Sequence, residues 1–171
     1  NTFKELRDFS PEEYHAELYR WVDILEEKFC KFIQEKEITL ILAQNIWCVG
    51  LNPAVAIALE RARQAFNIPA LAHNHDFYWE RVDGAALTSK YALELADQFL
   101  PPRDPQIKHA VINSLGQRAL RTRKGIPSTV IPNVFDFDAP AWEVDDYNRN
   151  FRKEIGVGEN DLLILQATRI I

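Results

Sequence analysis

Short continuous apolar runs alternate with segments of helical periodicity along this chain, and that alternation constrains the fold more than any other feature. The runs are Ile38-Thr39-Leu40-Ile41-Leu42-Ala43, Pro69-Ala70-Leu71-Ala72, Ala110-Val111-Ile112, Thr129-Val130-Ile131 and Leu162-Leu163-Ile164-Leu165. Runs of this length read as strands covered on both faces. Between them lie helices with recognisable ends. Ser10 caps the first, Pro11 suits its first turn and Glu13 completes a capping box. Behind that cap, Tyr14, Leu18, Trp21, Val22, Leu25, Phe29, Phe32 and Ile33 form one wide apolar stripe. Asn52-Pro53 opens a helix from Ala54 to Phe66, with Asn67 as a left-handed stop. Further helices are expected over Leu87 to Phe99, closed by Pro101-Pro102, over Leu115 to Lys124, ended by Gly125, and over Val144 to Ile155. Strands alternating with helices build parallel βαβ units. The expected class is α/β, a Rossmann-like parallel sheet with helices on both faces, with Asp136 to Asp145 as the linker candidate.

The composition excludes several classes. With 171 residues, 47% hydrophobic and 26% charged, the chain is long enough for a sizeable core. A net charge of -5 argues against a nucleic-acid partner, which calls for a basic face or stripe. No apolar stretch approaches the ~20 residues that cross a bilayer, and NTFKELRDFS does not read as a signal peptide. Two cysteines, Cys30 and Cys48, cannot build a disulfide framework, so the default expectation is a reducing, cytoplasmic setting. The count of Met 0 suggests an excised or processed piece of a longer protein.

Open parallel sheets bind ligands outside the carboxyl ends of their strands. At those positions stand Gln44-Asn45, His73-Asn74-His75-Asp76, Asn113-Ser114, Pro132-Asn133 and Thr168-Arg169. Asn113-Ser114 serve equally well as a helix cap. No helix start explains the His-Asn-His-Asp cluster. His73 and His75 fall on one side of an extended strand, a spacing used by metal-dependent hydrolases, with Asp76 as a further ligand. A full ligand set is missing, because His15 lies inside the first helix and His109 is expected before its strand, at the wrong end of the sheet. The other chemistry open to the cluster is a neutral imidazole acting as hydrogen-bond partner in a cleft.

Phe77-Tyr78-Trp79, followed by Glu80-Arg81, either packs under a neighbouring helix or lines a pocket in which Trp79 and Arg81 meet a sugar. The basic run Arg118, Arg121, Arg123, Lys124 either marks a phosphate or RNA patch or complements a helix dipole on a solvated face. Neither GxGxxG, GxxxxGK[ST] nor GxSxG occurs, and neither cysteine has the histidine partner that a thiol nucleophile needs.

The tract GQRALRTRKGIPSTVIPNVFDF followed by DLLILQATRII resembles the interdomain region of family-4 glycosyltransferases, and IPALAHNHDFYWER resembles the strand ending in a His-Asp pair in the same family. The resemblance covers about residues 38 to 171. It implies a GT-B architecture of two Rossmann-like domains, with residues 1–140 an incomplete acceptor-side domain and 141–171 a linker helix and first strand of a truncated donor domain. It also implies retaining transfer of a hexose from a nucleotide-sugar to a sugar, lipid or small-molecule acceptor hydroxyl, with no metal and no cofactor beyond the donor substrate. His75 then matches the histidine that contacts the donor sugar, with Asp76 beside it and His73 as a second candidate. Arg169 matches the arginine that pairs with the donor diphosphate, and Asn133 lies at the domain junction. Asn45, Trp79 and Arg81 complete the expected substrate-binding set. Val134 and Thr168 replace two glycines of the family pattern. Peripheral membrane contact, seen in family members, is left open. The alternatives are a sugar-nucleotide epimerase of the same fold, the metal-dependent hydrolase built on His73, His75 and Asp76, and a non-catalytic binding module.

Overall fold

A computed structural model of the chain describes residues 9–80, 90–140 and 143–164. The chain divides into two compact units, Asn1–Asn133 and Val134–Ile171. The first unit holds helix α1 (Pro11–Glu35), strand β1 (Ile41–Gln44), helix α2 (Pro53–Ala65), strand β2 (Ala70–Asn74), helix α3 (Lys90–Phe99), strand β3 (Ile107–Val111), helix α4 (Ser114–Lys124) and strand β4 (Thr129–Val130). All strand pairs are parallel, in the order β1-β2-β3-β4. The α/β Rossmann-like class is therefore the one the sequence indicates.

Local chemistry sets the helix ends. The Ser10 hydroxyl accepts from the Glu13 amide at 3.2 Å while the Glu13 carboxylate accepts from the Ser10 amide at 2.9 Å. That second bond holds the Glu13 carboxyl below its usual range. Asn52 caps α2 through Val55, and Asn67 follows that helix at φ 52°. Asn113 caps α4 by accepting from Gly116 at 2.8 Å, so capping is the role it fills. Gly125 ends α4 in the left-handed conformation, where a side chain would be strained.

Strand order never reverses, so right-handed crossovers place α2, α3 and α4 on one face of the sheet. There Ala43, Ala70, Ala72 and Ile107 meet Ala56 of α2 and Ala96 of α3. Val111 of β3 meets Leu120 of α4. Helix α1 forms an outer layer: Tyr14, Leu18 and Val22 pack on Ala54, Ile57 and Ala58 of α2 and on Ala92 and Leu95 of α3. Alanines on α2 permit the close approach, and burying residues such as Leu18 and Val22 contributes about 1.5–3 kcal/mol each. The stripe on α1 is narrower than its sequence suggests, since Trp21 and Phe32 are exposed. Trp21 instead donates its indole N–H to Glu17 at 2.9 Å, beneath the Arg20 guanidinium.

The opposite sheet face presents Leu40 and Leu42, which are 61% and 57% exposed, so β1 is not covered on both sides among the described residues. Strand β3 begins at Ile107 and contains His109, which the sequence placed before the strand. The imidazole is buried on the helical side, with Nδ1 3.3 Å from the Asn74 amide nitrogen and Nε2 3.1 Å from the Pro102 carbonyl oxygen. An amide N–H on one side and a carbonyl on the other fix the neutral tautomer, with Nε2 donating and Nδ1 accepting. Desolvation accordingly lowers the His109 pKa below 6.5. The unfolded chain binds a proton here that the folded chain refuses, so this group withdraws stability as pH falls below the ordinary imidazole value toward its lowered folded one. We expect His109→Gln to flatten the melting temperature against pH between pH ~5 and ~7 relative to wild type, and parallel curves would contradict this assignment.

The second unit contains helix α5 (Phe151–Glu154). The longer helix expected over Val144 to Ile155 is reduced to this single turn. Asp145 explains why: its carboxylate accepts from the amides of Tyr147 and Asn148 at 2.9 and 3.0 Å, and the Asn148 side chain accepts from the Asp145 amide at 3.0 Å. Such local bonds compete with helix. Arg152 closes the following turn by donating to the carbonyls of Gly158 and Asp161. Residues 162–164 carry no strand pairing, and Leu165, which ends the expected fifth strand, lies outside the described residues.

Candidate functional site

At the carboxyl ends of β1 and β2 the chain assembles a polar cluster from Gln44, Asn45, His73, His75 and Asp76. Pairing in parallel register sets Gln44 beside His73. Asn45 follows at φ 58°, a left-handed conformation that asparagine tolerates better than most residues. Its carboxamide is the hub of the cluster. Oδ1 accepts from the His75 backbone amide at 2.8 Å and from the Cys48 thiol at 2.9 Å, while Nδ2 donates to Asp76 Oδ1 at 3.3 Å. One side chain thus pins the loop after β2 to the loop after β1. Cys48 is buried and donates its proton to this hub, a structural role.

The two imidazoles meet edge to face with centroids 4.8 Å apart. His73 Nε2 lies 3.0 Å from the Ile131 carbonyl oxygen, beyond β4, and therefore donates to it. His75 Nε2 lies 3.2 Å from Gln44 Oε1, also an acceptor, so the proton sits on Nε2 and Nδ1 keeps its lone pair. All four titratable or polar groups on the β2 side are half-buried or buried, with Asn74 enclosed beneath and donating to the Ala110 carbonyl oxygen at 3.2 Å. The arrangement offers oriented donors, one imidazole lone pair and one carboxylate at the rim of a sheet.

Among the described residues no three His, Cys, Asp or Glu side chains come together as a ligand set. His73, His75 and Asp76 hydrogen-bond to Ile131, Gln44 and Asn45 respectively.

The aromatic tract divides in two. Phe77 and Tyr78 are core residues, and the Tyr78 hydroxyl donates to Asp97 at 2.7 Å. Burial pushes the Tyr78 phenol up, while Lys124 and Tyr78 together hold the Asp97 carboxyl below its usual range. Trp79 is half-buried, stacked on Phe77 at 4.4 Å with the Arg123 guanidinium 5.5 Å from its ring centroid. Of the basic run, Lys124 is buried and donates to both the carboxylate and the carbonyl of Asp97 at 2.7 Å. Arg121, Arg123 and Lys124 occupy the last turn of α4, where cations complement the helix dipole. Asn133 is exposed at the end of the first unit. Arg81 and Arg169 lie outside the described residues.

Gln44 and Cys48 are the members of the cluster whose roles the sequence did not reveal. The positive φ needed after β1 is the signal that singles out Asn45. A cavity of about 300 Å³ beside Tyr19, Ile57, Arg61 and Phe99 shares no residue with the cluster.

The fold and the strand-end cluster define an α/β Rossmann-like unit with its polar chemistry at the carboxyl edge of a parallel sheet. No family model matches the chain, and no solved structure matches it significantly. Over 170 residues it is 36% identical to the mannosylglucosylglycerate synthase of Petrotoga mobilis, and over 172 residues 37% identical to that of Thermotoga maritima. Each match covers 99% of this chain, which spans 38% of the length of these curated relatives. Among the described residues no helix is long and apolar enough to cross a membrane.

Proposed function

We propose that this chain is part of a glycosyltransferase of the retaining family-4, GT-B type, which moves a hexose from a nucleotide-sugar to an acceptor hydroxyl. The observation that carries the proposal is the similarity to two synthases along 99% of the chain. The strand-end cluster supports it, because it places oriented hydrogen-bond groups where open parallel sheets take ligands. The relatives' name, mannosylglucosylglycerate synthase, is consistent with transfer of a mannosyl group to a glucosylated glycerate.

In this scheme His75 contacts the donor sugar beside the reacting carbon, with Asp76 next to it. Its Nε2 proton is committed to Gln44, so Nδ1 accepts from a sugar hydroxyl. Asn45 acts as the positioning residue through the His75 main chain, and His73 lines the same rim. Arg169 pairs with the departing diphosphate, whose negative charge grows in the transition state. Trp79 and Arg81 belong to the acceptor side. No protein nucleophile and no metal enter the scheme. The test is acceptor-dependent release of nucleoside diphosphate by the full-length protein, with the anomeric configuration of the product read by NMR. Retention supports the family-4 assignment and inversion refutes it.

A further inference from the structure

A second cavity, of about 640 Å³, opens at the other end of the sheet, where the segments leading into β3 and β4 run side by side. Its size falls in the range of about 300–1,000 Å³ typical of small-molecule sites. Arg103, Lys108, Ser128 and Thr129 line it, together with Asp104 and His109. Since all four strands are parallel, this end is opposite the His73–His75 cluster, and the two share no residue.

The electrostatics of the wall are one-sided. The side chains of Arg103 and Lys108 are exposed and make no ion pair or hydrogen bond with another described residue, Arg103 acting on Asp97 only through its charge. The carboxylate of Asp104 is already spent: one oxygen accepts from Arg63 at 2.8 Å and the other from the Gln106 amide at 2.8 Å. His109 is held neutral by Asn74 and Pro102 and adds no charge. The Ser128 hydroxyl, shielded from solvent, has no hydrogen-bond partner among the described residues. Two uncommitted cations at the wall of one cavity, with the exposed Thr129 also lining it, are donors without an acceptor among the described residues.

We propose that this cavity binds the phosphate group of a small-molecule ligand, with Arg103 and Lys108 supplying charge and Thr129 supplying a hydroxyl donor. A tetrahedral anion accepts from several directions at once, which suits cations and a hydroxyl arriving from two separate segments. This site is independent of the proposed transfer chemistry.

Inorganic phosphate titrated into the protein at constant ionic strength, against chloride as control, provides the test, followed by amide NMR. Saturable shifts confined to residues 103–109 and 125–129 are expected, with affinity weakened about tenfold in Lys108→Gln and again in Arg103→Gln. Both side chains are exposed, so neither variant disturbs the core. Shifts that chloride reproduces, shifts centred on His73 and His75, an affinity unchanged in both variants, or no saturable shift would each overturn the proposal.

Discussion

Replacing Arg63 by alanine is expected to destabilise the first unit by about 3–5 kcal/mol, the cost of breaking a buried ion pair by removing one partner. The guanidinium is completely buried at the end of α2 and uses its whole donor fork. It meets both oxygens of Glu60 at 2.8 Å, Asp104 at 2.8 Å, Gln106 at 3.0 Å and the Ile68 carbonyl oxygen at 2.9 Å. Helix α2, the loop into β2 and the loop into β3 are thereby tied at one point. Alanine leaves two carboxylates facing a void with no cation between them. Arg63→Lys keeps the charge but loses the planar fork, and falls between wild type and alanine. Against a total stability of about 5–15 kcal/mol, the alanine variant loses a large share, visible as a lower urea midpoint. A midpoint within experimental error of wild type would show that the network contributes only solvated contacts.

His75→Ala should cut turnover of the full-length protein by about a hundredfold or more, with little change in stability. The reasoning separates side chain from main chain. The bond that pins the loop runs from the His75 backbone amide to Asn45, and alanine keeps that amide. The Gln44 hydrogen bond, exposed and contributing about 1 kcal/mol, and the edge-to-face contact with His73 are lost. A large fall in turnover with an intact melting curve therefore assigns the imidazole to chemistry. Unchanged turnover removes His75 from the site. Asn45→Ala makes the complementary measurement: it removes the hub, lowers turnover through loop position, and is expected to lower stability too.

How much of this was legible beforehand depended on whether neighbours in sequence or neighbours in space set the outcome. Caps at Ser10, Asn52 and Gly125 follow from bonds spanning a few residues, and they appear where the sequence places them. The strand at Ile107 to Val111 was read too short because Lys108 and His109 look like loop residues. Pairing with β2 makes room for both, Lys108 on the exposed face and His109 with each ring nitrogen satisfied. The apolar run at Leu40 and Leu42 implied cover on both faces, yet strand order decides which face the helices take. Arg63 gave no sequence signal. On α2 it resembles any charge on a solvated helix face, and its burial depends on Asp104 and Gln106, far along the chain. At the candidate site the histidines and Asp76 were visible as an unexplained polar cluster. Asn45 was visible only as a strand-end residue, because its role as hub depends on pairing β1 with β2. Of the aromatic tract, Phe77 and Tyr78 answer to packing, which a hydrophobic pattern cannot separate from a sugar platform.

Sugar transfer without a metal is the central proposal, and one measurement addresses it directly. The full-length protein is incubated with GDP-, UDP- and ADP-sugars in chelator, with and without a glucosylated glycerate, and nucleoside diphosphate release is followed. Release with one donor class, dependent on the acceptor and indifferent to the chelator, is expected. No release in chelator, with activity restored by zinc or manganese, would contradict it.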